Sequence, residues 1–199
     1  MRRTPCAGPV LSVCLVLAAA PALAAQASPL SLDLRGGLGL PVGSFGRAMP
    51  GGGQRQAEAS FGVHFDYRAG ARTSVHVGFS QHRIGCSELG CPGDGEYVHT
   101  GWDVGTRFDL LTGLVRPRLR VGAVFARVER DFLEDGTVQR RLSDLSVGAE
   151  AGVEVAVRVG PRIHVAPAVR YLWLNTRYPG EGLLRIRYVV TDVALILGF

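Results

Sequence analysis

Beyond about residue 30, hydrophobic and polar positions alternate with a period of two almost to the end of the chain, which marks two-faced strands rather than helices. One segment sets Val98, Thr100, Trp102, Val104, Thr106 and Phe108 against His99, Gly101, Asp103, Gly105, Arg107 and Asp109. A second sets Leu145, Val147, Ala149, Ala151, Val153, Val155 and Val157 against Asp144, Ser146, Gly148, Glu150, Gly152, Glu154 and Arg158. Helical spacing fits neither. The same alternation predicts eight strands, at 30–40, 58–68, 72–83, 97–110, 116–129, 143–159, 163–175 and 184–199, each long enough to cross a bilayer at a tilt. An even number of strands lets an up-and-down antiparallel sheet close on itself.

The connections alternate in length. Residues 40–57, 84–96, 130–142 and 176–183 are long or irregular, whereas 69–71, 111–115 and 160–162 are tight turns. Long loops on one side and short turns on the other are the pattern of outer-membrane barrels. This places the short turns and both ends of the mature chain in the periplasm and the long loops outside.

Alternation also fits a soluble ligand-carrying barrel, whose apolar residues point inward. The polar phase separates the two. Asp33, Arg35, Glu58, Asp66, Arg68, Asp103, Arg107, Asp109, Arg118, Arg120, Asp144, Glu150, Glu154, Arg158, Arg170 and Asp192 share it with many glycines. Both charge signs beside space-saving glycine suit a narrow, salt-bridged interior, and Asp66, Arg68, Asp103, Arg107, Arg120, Glu150, Glu154 and Arg170 are expected to form a lumen charge network. On the apolar phase, Tyr67, Phe108 and Phe199 fall near the periplasmic ends and Phe61, Phe79, Phe125, Tyr171 and Trp173 nearer the outside. These are two aromatic belts, as a membrane barrel carries. The expected fold is all-β, an eight-stranded antiparallel up-and-down transmembrane β-barrel.

The last strand carries the most specific signal. Val193, Leu195, Leu197 and Phe199 alternate with Asp192, Ala194, Ile196 and Gly198. Here the chain resembles the small eight-stranded outer-membrane barrels of the OmpA/OmpX type. The resemblance implies a bacterial outer-membrane location and a terminal strand, with Leu195, Leu197 and Phe199, that the barrel-assembly machinery reads. No segment resembling a peptidoglycan-binding domain accompanies the barrel, so no cell-wall tether is implied.

Composition adds limits. With 47% hydrophobic and 20% charged residues, the 199-residue chain is no disordered polymer. Arg2 and Arg3, the apolar run from Val10 to Ala20 and Pro21-Ala22-Leu23-Ala24 read as a secretory signal peptide over 1–24, leaving a barrel domain over 25–199. The formal charge of +5 falls to +3 without Arg2 and Arg3, and it forms no basic stripe of the kind that binds nucleic acid. Outer-membrane lipid and the assembly machinery are the expected partners of a monomer, and no cofactor is expected.

Candidate chemistry is sparse. Cys86 and Cys91 lie in one long loop of an exported chain and read as a local disulfide; a two-ligand metal site is the alternative, but the loop holds no histidine. His64, His76, His82, His99 and His164 all fall on the inward phase, yet no recognisable metal set is completed by the sequence spacing. A turn over 69–71 would place His64 opposite His76. A lipid deacylase needs His and Ser together on the lipid face, which offers only Thr100, Thr106 and Thr191, while Ser80 and His82 point inward. No catalytic residue is therefore assigned. The loops 49–55 and 131–136 show no binding motif and are expected to be mobile. The function expected is a non-enzymatic envelope-structural or surface-interaction role, with a narrow solute channel as the alternative and a lipid-modifying enzyme as a third reading.

Overall fold

The computed structural model describes residues 29–43, 55–86, 96–134, 137–180 and 182–199. The signal peptide expected over 1–24, Cys91 of the expected Cys86–Cys91 disulfide and residues 49–54 of the expected 49–55 loop lie outside them. Among the described residues nine strands form: β1 (Leu30–Pro41), β2 (Arg55–Arg68), β3 (Thr73–Cys86), β4 (Tyr97–Asp109), β5 (Val115–Glu134), β6 (Thr137–Leu142), β7 (Ser146–Arg158), β8 (Ile163–Arg177) and β9 (Leu183–Gly198). Each of β1 to β5 pairs antiparallel with the next, β5 pairs with β7, and β7, β8, β9 and β1 complete the circuit. Eight strands therefore make a closed barrel, and closure leaves its barrel strands no free edge.

The register fixes the barrel's dimensions. Starting at Leu30, directly opposite residues run through Tyr67, Val75, Thr106, Val121, Ala151, Tyr171 and Val189, and return to β1 at Leu40. The circuit climbs from residue 30 to residue 40, a shear of ten. With ordinary strand spacings, that shear tilts eight strands by about 40° and leaves an interior just wide enough for side chains.

Three connections, residues 69–72, 110–114 and 159–162, gather at the short-turn end. Two close in the same way, with Ala69 N donating to Thr73 O and Val159 N to Ile163 O, both at 3.0 Å. Across the first turn Arg68 pairs with Ser74, so five residues intervene where three were expected, and the register moves by two. His64 lies opposite Gly78 and Asp66 opposite His76, so the expected His64–His76 pairing is corrected.

One further expectation is corrected at the other end. Residues 131–134 continue β5 and pair with β6, forming a hairpin where a loop was expected. The alternation runs straight on through Glu129 and Asp131, and Arg140 of β6 meets these two carboxylates at 2.7 and 3.1 Å. The hairpin stands clear of the barrel, whose neighbouring ladders end at Arg130 and Ala126. In β2, one extra residue between Ala57 and Ser60 makes a bulge against β3, a common device at a barrel rim.

The two faces separate as the alternation demands. Phe65, Trp102, Val147, Val153, Val193 and Phe199 are exposed on the outside, with Trp102 at 60%. Asp33, His64, Asp103, Arg107, Arg120, Glu150 and Arg170 are buried inside. In water this would be an inverted protein. In a bilayer it satisfies both solvents, because every barrel strand is paired and the apolar band meets lipid.

Candidate functional site

The lumen holds the chemistry. From the short-turn end inward, Arg118 Nε donates to Asp109 at 2.6 Å and its Nη1 to Glu154 at 3.1 Å. Arg35 bridges Asp33 at 2.7 Å, Glu154 at 2.6 Å and Asp192 at 3.2 Å. Arg107 joins Asp33 to Asp66, each at 2.6 Å. Arg170 reaches Asp192 at 2.6 Å and Glu150 at 3.1 Å. Arg120 spans Glu150 at 2.5 Å and Asp103 at 2.7 Å, and His64 Nε2 lies 3.0 Å from Asp103. With His76 near Asp103 and Glu150, this connected lattice draws a side chain from each of the eight barrel strands. Ions so far from water are tolerable only when paired and hydrogen-bonded on several sides, and sharing each carboxylate between guanidiniums meets that requirement.

Glycine makes the room. A Cβ on Gly78 would lie 2.0 Å from His64 Cδ2, and one on Gly105 2.6 Å from His76 Cε1. A large inward side chain on one strand thus requires a missing one on its neighbour, which is why charge and glycine share a phase.

Of the eight residues expected in the network, Asp66, Asp103, Arg107, Arg120, Glu150, Glu154 and Arg170 meet in the lattice. Arg68 is placed elsewhere, exposed at the periplasmic mouth and lining a cavity there. It sits at the last position of β2, on the short-turn side of the level where partners from all sides converge. The expected set omits Asp33, Arg35 and Asp192, which shared the inward phase and bind at the centre.

Above the lattice, Ser60 Oγ lies 2.6 Å from His82 Nδ1, the His82 and His99 rings stack at 5.1 Å, and His99 Nδ1 is hydrogen-bonded to the Tyr188 hydroxyl. Ser60 and His82 make no lipid-facing catalytic pair, because both are buried in the closed lumen. The pairing also differs from the sequence neighbours Ser80 and His82. Towards the long-loop end the interior turns apolar: Ile84, Val124, Val128, Leu172, Leu174 and Ile186 pack with Tyr97, Tyr178 and Tyr188. This stopper was missed in the alternation, although the inward positions of β5, β8 and β9 become aliphatic there and both faces turn apolar, as in a strand buried on two sides.

Among the described residues, His76, Asp103 and Glu150 bring ligand atoms within 4.8 Å of one another. They fit a metal poorly. Arg120 already supplies a cation to both carboxylates, at the very oxygens that face His76.

A closed up-and-down barrel with a lipid-facing exterior and a filled polar core defines a small eight-stranded outer-membrane β-barrel protein, and the bacterial outer membrane is its location. Solved structures of that class share the fold. Neisserial surface protein A superposes with a TM-score of 0.63 at 17% identity over 88% of this chain and all of the other. The attachment invasion locus protein Ail of Yersinia pestis gives 0.54 at 15% identity, over 86% of this chain and 99% of Ail. The Escherichia coli outer membrane protein W gives 0.52 at 15%, over 88% of this chain and 100% of the other. No family model matches the sequence, and no curated protein matches it either.

Proposed function

We propose that the protein is a non-enzymatic integral outer-membrane barrel that conducts nothing and acts through its surfaces, in envelope structure or in contacts outside the cell. The observation carrying this reading is the continuous filling of the lumen, by the ionic lattice in one half and by the apolar stopper in the other. Water and solutes have no polar path past Leu172, Leu174 and Ile186, each at most 1% exposed. The projecting β5–β6 hairpin, stiffened by Arg140 with Glu129 and Asp131, supplies an ordered surface for outside contacts.

Outer-membrane lipid against the apolar band, and recognition of Leu195, Leu197 and Phe199 by the barrel-assembly machinery, complete the proposal for a monomer. Purified protein in planar bilayers should give no discrete current steps. Sustained openings of uniform size would overturn the closed-lumen reading in favour of a narrow channel. Incubation with lipopolysaccharide should release no fatty acid; release that disappears in Ser60→Ala or His82→Ala would establish an enzyme instead.

A further inference from the structure

The geometry points to the periplasmic mouth of the barrel as a binding site for phosphate-bearing anions. A cavity of about 640 Å³ opens there, floored by the Arg107–Asp66 pair. Its walls carry Arg68, Arg116, Arg118, Arg158, Arg162 and His164, brought together from β2, β5, β7, the 159–162 turn and β8.

The cations there outnumber the anions. Asp66 is matched to Arg107. Asp109 is shared, at 2.6 Å from Arg118 Nε and 3.6 Å from Arg116 Nη1. Glu154 takes the far side of Arg118 but is already held by Arg35. Five guanidiniums, of Arg68, Arg116, Arg118, Arg158 and Arg162, thus face one carboxylate, Asp109, that is not already matched deeper in the lumen.

Arg116 shows the deficit most clearly. It is 7% exposed, its Nη2 donates to His164 Nε2 at 2.5 Å, and its Nε is buried without a hydrogen-bond partner. Arg68, Arg118 and Arg158 line the same opening as Arg116 and His164. A buried guanidinium N–H without an acceptor costs free energy, and like charges crowded in one mouth repel. A phosphate group relieves both: its oxygens accept paired N–H bonds from more than one planar guanidinium, and its charge offsets the surplus.

The phosphate has two sources of the same chemistry. One is a soluble phosphate or pyrophosphate ester. The other is the headgroup of a phospholipid in the inner leaflet, whose chains would lie along Leu30 and Phe199, exposed at 49% and 50% beside the opening.

Isothermal titration of the full chain in neutral detergent micelles tests this with two probes, pyrophosphate and phosphatidylglycerol doped into the micelles. Saturable binding of either probe is expected, weakened at least about tenfold by R68Q/R158Q through the loss of charge-assisted bonds. Arg68 and Arg158 are both exposed, so the lattice stays intact in this variant. R140Q/R141Q removes the same charge at the opposite end and should leave binding unchanged. Binding of pyrophosphate identifies a soluble ester as sufficient; binding of phosphatidylglycerol alone identifies the lipid headgroup. Absence of saturable binding for both probes, or equal weakening in the two variants, overturns the site.

Discussion

Arg120 is the residue on which the middle of the barrel turns, because its guanidinium holds Glu150 and Asp103 together while His64 and His76 pack around the same carboxylates. Replacing it by Met leaves two buried acids short of a cation, and the loss expected is about 3–5 kcal/mol. Adding Asp103→Asn to Arg120→Met should recover part of that loss. Urea titrations in lipid vesicles, followed by the heat-modifiable gel shift, measure both. Space is as sharply specified as charge. Gly78→Ala drives a methyl into the His64 ring and should cost about 1–3 kcal/mol, whereas Gly36→Ala, with nothing within 4 Å, should be neutral. Residue identities on the inward phase were legible in the sequence, since a strand's period assigns each one to a face. Which charges meet was not. Arg68 and Arg107 look alike in the pattern, and only the level at which each enters the lumen separates a mouth residue from a lattice residue.

The strands themselves were legible almost to their ends, because one face meets lipid and the other meets charge, so the alternation is strong throughout. It failed where the two faces stopped differing. In β8, Tyr171, Leu172, Trp173 and Leu174 are all apolar, with Leu172 and Leu174 turned inward to the stopper. It failed also at the β5–β6 hairpin, which no bilayer contrast marks. Beyond Asp131, whose N–H donates to Glu96 O at 3.1 Å, the ladder of the hairpin joins only β5 and β6. Replacing residues 132–139 with a short glycine linker should therefore leave barrel stability in the gel-shift assay within about 0.5 kcal/mol, as surface changes usually do. The terminal strand behaves oppositely. Leu195 and Phe199 face outward, at 40% and 50% exposure, while β9 closes the circuit on β1. Phe199→Ser should lower the amount of folded protein in the outer membrane several-fold, while protein refolded from urea into detergent keeps its heat-modifiable mobility.

At the scale of the whole molecule, closure with a shear of ten brings every inward residue within reach of neighbours from distant strands, as when Arg35 of β1 meets Glu154 of β7. Neither the shear nor the four-residue turn at 69–72 is written in the alternation, which specifies faces but not levels. The apolar exterior is forgiving in the same sense. If β8 slid along β9 by two residues, every outward valine and leucine would still face lipid, and the hydrophobic pattern of the exterior would register no error. The interior would register it at once, because Arg170 would leave Asp192, Arg116 would leave His164 and the buried acids would lose their counter-ions. The lattice thus works as a proofreading device for assembly: a barrel whose outside accepts several alignments has an inside that accepts one. A chain with Arg35, Arg107, Arg120 and Arg170 changed to Met and Asp33, Asp103, Glu150 and Asp192 to their amides should still insert. Its amide NMR spectrum in micelles should then show doubled resonances from coexisting alignments, and a single set of peaks would refute the role in proofreading.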